Sequence, residues 1–340
     1  MTADWLVNYN YGFVKRGLSG TIFLSITRDK DTLLDLLSFS LILIYVFIFF
    51  LLNKIYNSEK QNYLSVVLIF SPAAFLFPIY DSQGSFRKEI LGFLAVLLLA
   101  SSIKSSKRYK YVSMSLFIYS IAVFSHSVNV FFITTIFVLI YIFFDNKLLL
   151  LTLFSIPVVL YLLLYYLFSS SEQELYIIRD NICNDLVSIG LSNLCGYGTF
   201  DFLVWDVNAN YLLVQNYIIN ENRNEYYFYF LIFFLSIVPY FFDSKSIKLM
   251  KYYLFVSISF IPLFLYAYDW GRWIYIMSIC FLVLYLLSEK SSKNNLTLIL
   301  LFTYPFLYRM EHCCKPMIHF KENFIFENFF YVLEVLRNII

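Results

Sequence analysis

Residues 36–52 read LLSFSLILIYVFIFFLL. Seventeen consecutive positions carry no charge, and the apolar run extends over 32–53. A helix needs about 20 apolar residues to cross the hydrocarbon core of a bilayer. This run is apolar on every face, so it lacks the single apolar stripe of a soluble surface helix. Similar runs recur along the chain, near 63–80, 88–103, 109–125, 128–144, 148–168, 226–242, 249–268, 272–288 and 295–309. The reading is an all-α polytopic bundle of about ten spans, the third and fourth being short enough to be tilted or re-entrant. Composition agrees. The 340 residues are 60% hydrophobic, 21% aromatic and 14% charged, where a soluble domain carries about 25% charged residues. A membrane β-barrel is excluded because its strands alternate over about ten residues, whereas these runs are continuous.

Lys and Arg in short loops set orientation. One alternate set of loops, 54–62, 104–110, 145–147, 243–251 and 289–294, holds twelve basic residues against Glu59, Asp145, Asp243 and Glu289. The rest of the chain holds 13 basic and 19 acidic residues. The basic side is expected in the cytoplasm and both termini outside. Residues 1–31 contain no spanning run, so an outside N-terminus leads us to expect a first helix upstream of Met1. The chain then divides into N-terminal helices with an outer-face segment (1–168), an outer-face loop (169–225), C-terminal helices (226–309) and an amphipathic outer-face tail (310–340).

Charged side chains avoid mid-span positions, where each costs at least ~2.5 kcal/mol, and gather at the outer ends. The first cluster is Asn10-Tyr11-Gly12-Phe13-Val14-Lys15-Arg16-Gly17-Leu18, where glycines and cations allow close approach to an anion. The second, Arg87-Lys88-Glu89, opens a span, and its two cations suit phosphate oxygens. The third is His126, between Ser125 and Ser127; its side chain titrates nearest neutral pH. The fourth is Asp269-Trp270-Gly271-Arg272-Trp273. A guanidinium forks onto phosphate, and the indoles of Trp270 and Trp273 suit sugar rings. The long loop 169–225 carries Cys183 and Cys195 with eleven residues between them. Outside the cytoplasm such a pair oxidises, and a disulfide is expected. Cys313 and Cys314 are adjacent and not expected to bridge; with His312 and His319 they match no zinc spacing.

The chain lacks GxxxxGK[ST], GxGxxG and HExxH, so nucleotide-driven pumping and zinc peptidase chemistry have no support. The absence of an internal repeat and of mid-span charges weakens a flippase or transporter reading. In its span number, its Phe/Tyr/Ile-rich composition, its Cys183/Cys195 loop and the segments around Lys15-Arg16, Arg87-Lys88-Glu89 and Asp269–Arg272, the chain resembles the bacterial O-antigen and capsule repeat-unit polymerases of the Wzy type. That resemblance implies a multi-pass inner-membrane enzyme with a periplasmic active face, joining oligosaccharides carried on undecaprenyl pyrophosphate. Arg16, Arg87, Arg272, Lys15 and Lys88 would grip the pyrophosphate, and Asp269, His126 or Glu89 would act as base. The lipid pyrophosphate is already activated, so neither cofactor nor metal is called for. Membrane lipid, a flippase and a chain-length regulator would be its partners, and nothing points to nucleic acid. A polyprenyl-phosphate-sugar glycosyltransferase of the GT-C type, with Asp4 or Asp81 as its outer-loop carboxylate, is the nearest alternative.

Overall fold

In a computed structural model the protein is described over residues 2–58, 63–168, 170–195, 198–204, 207–221, 223–242, 244–288, 304 and 307–313. Every regular element among them is helical. In chain order these are α1 (Thr2–Leu6), α2 (Leu18–Ile26), α3 (Lys30–Ser58), α4 (Tyr63–Ile69), α5 (Phe77–Tyr80), α6 (Ser82–Ser85), α7 (Glu89–Ser102) and α8 (Arg108–Ser125). There follow α9 (Phe132–Phe143), α10 (Lys147–Leu167), α11 (Glu172–Ser188), α12 (Asp201–Val204), α13 (Val207–Asn216), α14 (Arg223–Ile237), α15 (Ser244–Tyr266) and α16 (Trp270–Leu287). The chain forms two compact units, one from Met1–Leu52 with Arg87–Asn210, the other from Asn53–Phe86 with Tyr211–Ile340.

Four helices are long and apolar enough to cross a membrane: Lys30–Asn57, Lys147–Leu167, Ile247–Tyr266 and Trp270–Leu287. The first three turn apolar side chains outward, among them Phe39, Ile42 and Phe50 on α3, Val159 and Leu162 on α10, and Leu254 and Ile258 on α15. Such surfaces suit lipid rather than water. The expected runs 88–103, 128–144 and 226–242 correspond to shorter apolar helices. The run 109–125 is α8, whose first turn holds Arg108 and Lys110. The run 63–80 is broken. α4 stops at Ile69, ahead of Pro72, and Pro78 opens α5. Proline removes an N–H donor and turns the preceding residue away from helix, so the backbone between them closes turns instead, Ala74 N–H to the Ser71 carbonyl (2.9 Å) and Phe75 N–H to that of Ile69 (3.1 Å). The run 295–309 lies almost wholly outside the described residues, as does most of the tail 310–340.

Each unit is built around one helix enclosed on all sides. In the first unit every residue of α7 from Glu89 to Ser102 is buried, against α8 and α9. Its Leu and Val side chains face protein all round, the pattern of a central helix, and the Ser115 hydroxyl on α8 donates to the Ala95 carbonyl at 2.7 Å. In the second unit α16 is buried from Gly271 to Leu287 against α15, α14 and α4. Both helices enter on charged residues, Lys88-Glu89 and Asp269 with Arg272.

The expected outer loop is largely helical. α11 begins on a capping box, Ser171 with Glu174, which satisfies two end amides reciprocally. Its Ile178, Ile182 and Leu186 share a core with Leu6, Val7, Val14, Leu24 and Leu33. Cys183 and Cys195 are joined by a disulfide, with a Cα–Cα distance of 5.5 Å, and pack on that core.

Candidate functional site

In the first unit, four charged residues and a histidine from three distant segments meet at the start of α7. Asp4 is buried, and its Oδ1 lies 3.4 Å from Arg16 Nη1. Lys88 is fully buried and its Nζ donates to the Arg16 carbonyl at 2.7 Å. His126, also buried, has Nε2 3.9 Å from Glu89 Oε1. The His126 Nδ1 accepts the Val128 amide at 3.1 Å, which leaves the proton of the neutral ring on Nε2. Burial alone would raise the Asp4 carboxyl, but Lys88 foremost, then His126, Arg16 and Arg87, holds it far below the usual carboxylate range. Opposite charges favour the ionised form in this way. Asp4 is therefore an anion kept inside the protein by a cationic frame.

Neutral side chains complete the wall. Asn129 is buried and its Nδ2 donates to the Ala122 carbonyl at 2.9 Å. The Tyr9 hydroxyl donates to the Phe124 carbonyl at 2.7 Å, and burial pushes its phenol up to about 12, so it remains a neutral donor. The Tyr161 hydroxyl donates to the Lys15 carbonyl at 3.1 Å, and the Lys15 ammonium stands 5.9 Å from the Tyr165 ring centroid. Among the described residues, Asp4 Oδ2, Arg16 Nε, Ser125 Oγ and Asn129 Oδ1 are buried without a hydrogen-bond partner. Each such atom costs roughly 1–3 kcal/mol. A protein that tolerates four in one cluster holds polar capacity ready for a ligand or water.

The second unit assembles a different polar group at the start of α16. Asp269 Oδ2 and Arg272 Nη2 are 2.8 Å apart, and the guanidinium lies over the Trp273 ring at 4.4 Å. Trp273 is buried in the core, so its indole carries Arg272 and presents no open face to a sugar. Trp270 is enclosed edge-on by Tyr226, Phe230 and Phe264, at centroid distances of 5.0, 5.2 and 5.5 Å. It lines an apolar groove of about 380 Å³ between α14, α15 and α16, together with Phe233, Ile258, Ile261 and Met277. The amides of Gly271 and Arg272 both point at the His312 carbonyl, at 3.1 and 3.4 Å. A Cβ on Gly271 would overlap the Glu311 carbonyl, so this glycine serves close backbone approach rather than flexibility. His312 in turn bonds Asp81 through both its amide and its ring Nδ1. Asp269, His312 and Cys313 offer ligand atoms within 4.8 Å of one another. They make a poor cation site, because Cys313, unlike the sequence expectation, is disulfide-bonded, Asp269 already neutralises Arg272 and the His312 Nδ1 is engaged.

Of the expected site residues, Arg16, Arg87, Lys88, Glu89 and His126 come together in the first unit, with Lys15 beside them. Asp269, Trp270, Arg272 and Trp273 belong to the second. Lys88 differs from expectation in that its ammonium is enclosed and donates to the Arg16 carbonyl, so it positions the Lys15-Arg16 turn. Asn129 and His312 carried no motif. Their partners, Ala122 and Lys88 for the first and Asp81 for the second, are set by the fold.

No protein-family model matches the chain, nor does any curated protein or any solved structure.

Proposed function

We propose that the protein is a membrane glycosyltransferase that joins oligosaccharide repeat units carried on undecaprenyl pyrophosphate, working on the periplasmic face of the inner membrane from a multi-pass bundle. The observation that carries this reading is the buried set around Asp4, Arg16, Lys88, Glu89 and His126, with four polar atoms still lacking partners among the described residues. Transfer from a lipid pyrophosphate builds negative charge on the leaving oxygen, which preorganised cations stabilise. Arg16 and Arg87 supply that charge, Lys88 fixes the turn bearing Arg16, and Glu89 with His126 offers an acid–base pair for the acceptor hydroxyl. The second unit, taken by itself, has an apolar groove suited to a polyprenyl chain; Arg272 there is paired with Asp269, and its expected part in gripping the pyrophosphate stands or falls on its own substitution. The short apolar helices of the expected ten-span layout lie at membrane depth in this proposal.

A second reading, transfer of one sugar from a polyprenyl phosphate, is favoured by Asp4 itself, a buried, ionised carboxylate in the first outer segment. Deleting the gene tests both. The polymerase reading expects surface glycan of one repeat unit per lipid. Repeat units lacking one sugar indicate the second reading, and an unchanged glycan ladder contradicts both. Arg272→Ala at wild-type membrane level is expected to remove long chains; a normal ladder takes Arg272 out of the mechanism.

A further inference from the structure

Within the first unit, the end of α7 away from the Asp4 cluster is strongly basic. α7 runs 14 residues from Glu89 to Ser102, roughly 20 Å of helix. Beyond it come Lys104, Lys107, Arg108 and Lys110, the turn between α9 and α10 adds Lys147, and the one acid in either turn is Asp145. Arg108 makes a single surface of the two turns. Its Nη2 donates to the Phe143 carbonyl at 2.7 Å, and its guanidinium lies over the Phe144 ring at 4.2 Å. α8 and α10, which both begin here, also pack on each other. Lys107, Lys110 and Lys147 are exposed, and none of the three forms an ion pair with a carboxylate among the described residues.

These cations stand where helix physics disfavours them. The start of a helix is already the positive end of its dipole, and acids are preferred there. α8 nevertheless opens on Lys107, Arg108 and Lys110, and α10 on Lys147, with no acid in either first turn and no side-chain cap at either end. Dipoles and side chains add to one positive field, which a bound anion offsets. The rim tells which anion. Tyr109 is 79% and Leu148 80% exposed, Tyr141 and Leu149 are exposed beside them, and the Lys147 ammonium stands 4.8 Å from the Tyr141 ring centroid. Aromatic and aliphatic side chains turned outward next to lysines match the boundary between headgroups and acyl chains. A free phosphate or a nucleotide draws nothing from such a rim.

We propose that the two turns form a binding site for an anionic phospholipid, in which Lys107, Lys110 and Lys147 hold the headgroup phosphate and Tyr109, Tyr141 and Leu148 flank the glycerol and upper acyl chain. Arg108 is the positioning residue, because its guanidinium is engaged by the Phe143 carbonyl and the Phe144 ring. Basic pockets between spans take anionic headgroups in this way, and each Lys or Arg near the surface is worth a preference of ~5-fold. The site lies wholly within the first unit and holds whatever chemistry the Asp4 cluster performs.

Photocrosslinking reads the site directly. The full-length protein is placed in phosphatidylcholine nanodiscs doped with a photoactivatable phosphatidylglycerol or, in a matched sample, with a photoactivatable phosphatidylcholine, and labelled peptides are mapped by mass spectrometry. The phosphatidylglycerol probe is expected to label residues 104–110 and 145–149 at least ~5-fold more than the phosphatidylcholine probe. The combined variant Lys107→Gln, Lys110→Gln and Lys147→Gln, at exposed positions that leave the core intact, is expected to bring that ratio close to one. Removing the same charge at Lys245, Lys248 and Lys251 is expected to leave it unchanged. Equal labelling of the wild type by the two probes, or a wild-type ratio in the first variant, overturns the proposal. A fall of the ratio in both variants marks a general surface potential and overturns it as well. Replacing chloride by inorganic phosphate at constant ionic strength is expected to preserve the ratio; its loss makes the occupant a free oxyanion and overturns the lipid assignment.

Discussion

Asp4 shows how much one side chain reveals. A carboxylate enclosed by protein ordinarily takes up a proton, yet Lys88, His126, Arg16 and Arg87 hold this one ionised. Because its folded pKa lies below its unfolded value of about 3.9, its contribution to stability is fully present above that pH and is lost as the pH falls through and below it. Thermal unfolding in detergent is therefore expected to lose the Asp4 contribution below about pH 4, where the unfolded carboxyl takes up a proton. Asp4→Asn removes that acid-sensitive component and lowers the melting temperature at neutral pH. An Asp4→Asn protein with the wild-type acid profile refutes the assignment. Gly271 gives a second test at this scale. Its missing Cβ admits the Glu311 carbonyl, and Gly271→Ala forces the backbones apart at a cost of roughly 1–3 kcal/mol, seen as a drop of several degrees in the same melt. At neither position is the reason local. Arg16, Lys88, Glu89, His126, Asp269 and Arg272 stand out in the sequence because polar and charged side chains, costly at mid-span, gather at the outer ends of the apolar runs. Asp81 was readable as an outer-loop carboxylate, but its pairing with His312 was not, because 231 residues separate them and only the fold joins them.

At the scale of elements, the apolar runs foretold helices but not their roles. α7 and α10 are equally greasy in sequence, yet α7 is enclosed by protein and α10 exposes most of its surface. The difference lies in neighbours, which a single hydropathy trace does not encode. The run 63–80 misled for a readable reason, since Pro72 and Pro78 interrupt it. The outer loop also carried its own signals, the Ser171–Glu174 capping box and Ile178, Ile182 and Leu186 at helical spacing. These build a core with the N-terminal segment, which the Cys183–Cys195 disulfide fastens. A disulfide closing so short a loop contributes about 2–4 kcal/mol. Cys183→Ser is accordingly expected to lower the melting temperature of the oxidised protein and to shrink the further drop that reductant causes. A Cys183→Ser protein as stable as the oxidised wild type contradicts a structural bond.

Over the whole molecule, the all-helical, lipid-compatible architecture was legible from composition alone, because few arrangements other than a membrane bundle can shelter 39 Phe and 30 Tyr in 340 residues. The clustering of charge at helix entrances was legible too. What the sequence did not show is that the charges divide between two units, each with one enclosed helix at its heart and a polar group at that helix's start. The account of function rests on the first of these groups, where Arg16 stands between an ionised Asp4 and an enclosed Lys88. The most direct test is the surface-glycan ladder of a deletion strain complemented with Arg16→Ala at wild-type membrane level. The account predicts glycan arrested at a single repeat unit per lipid; a full-length ladder would contradict it.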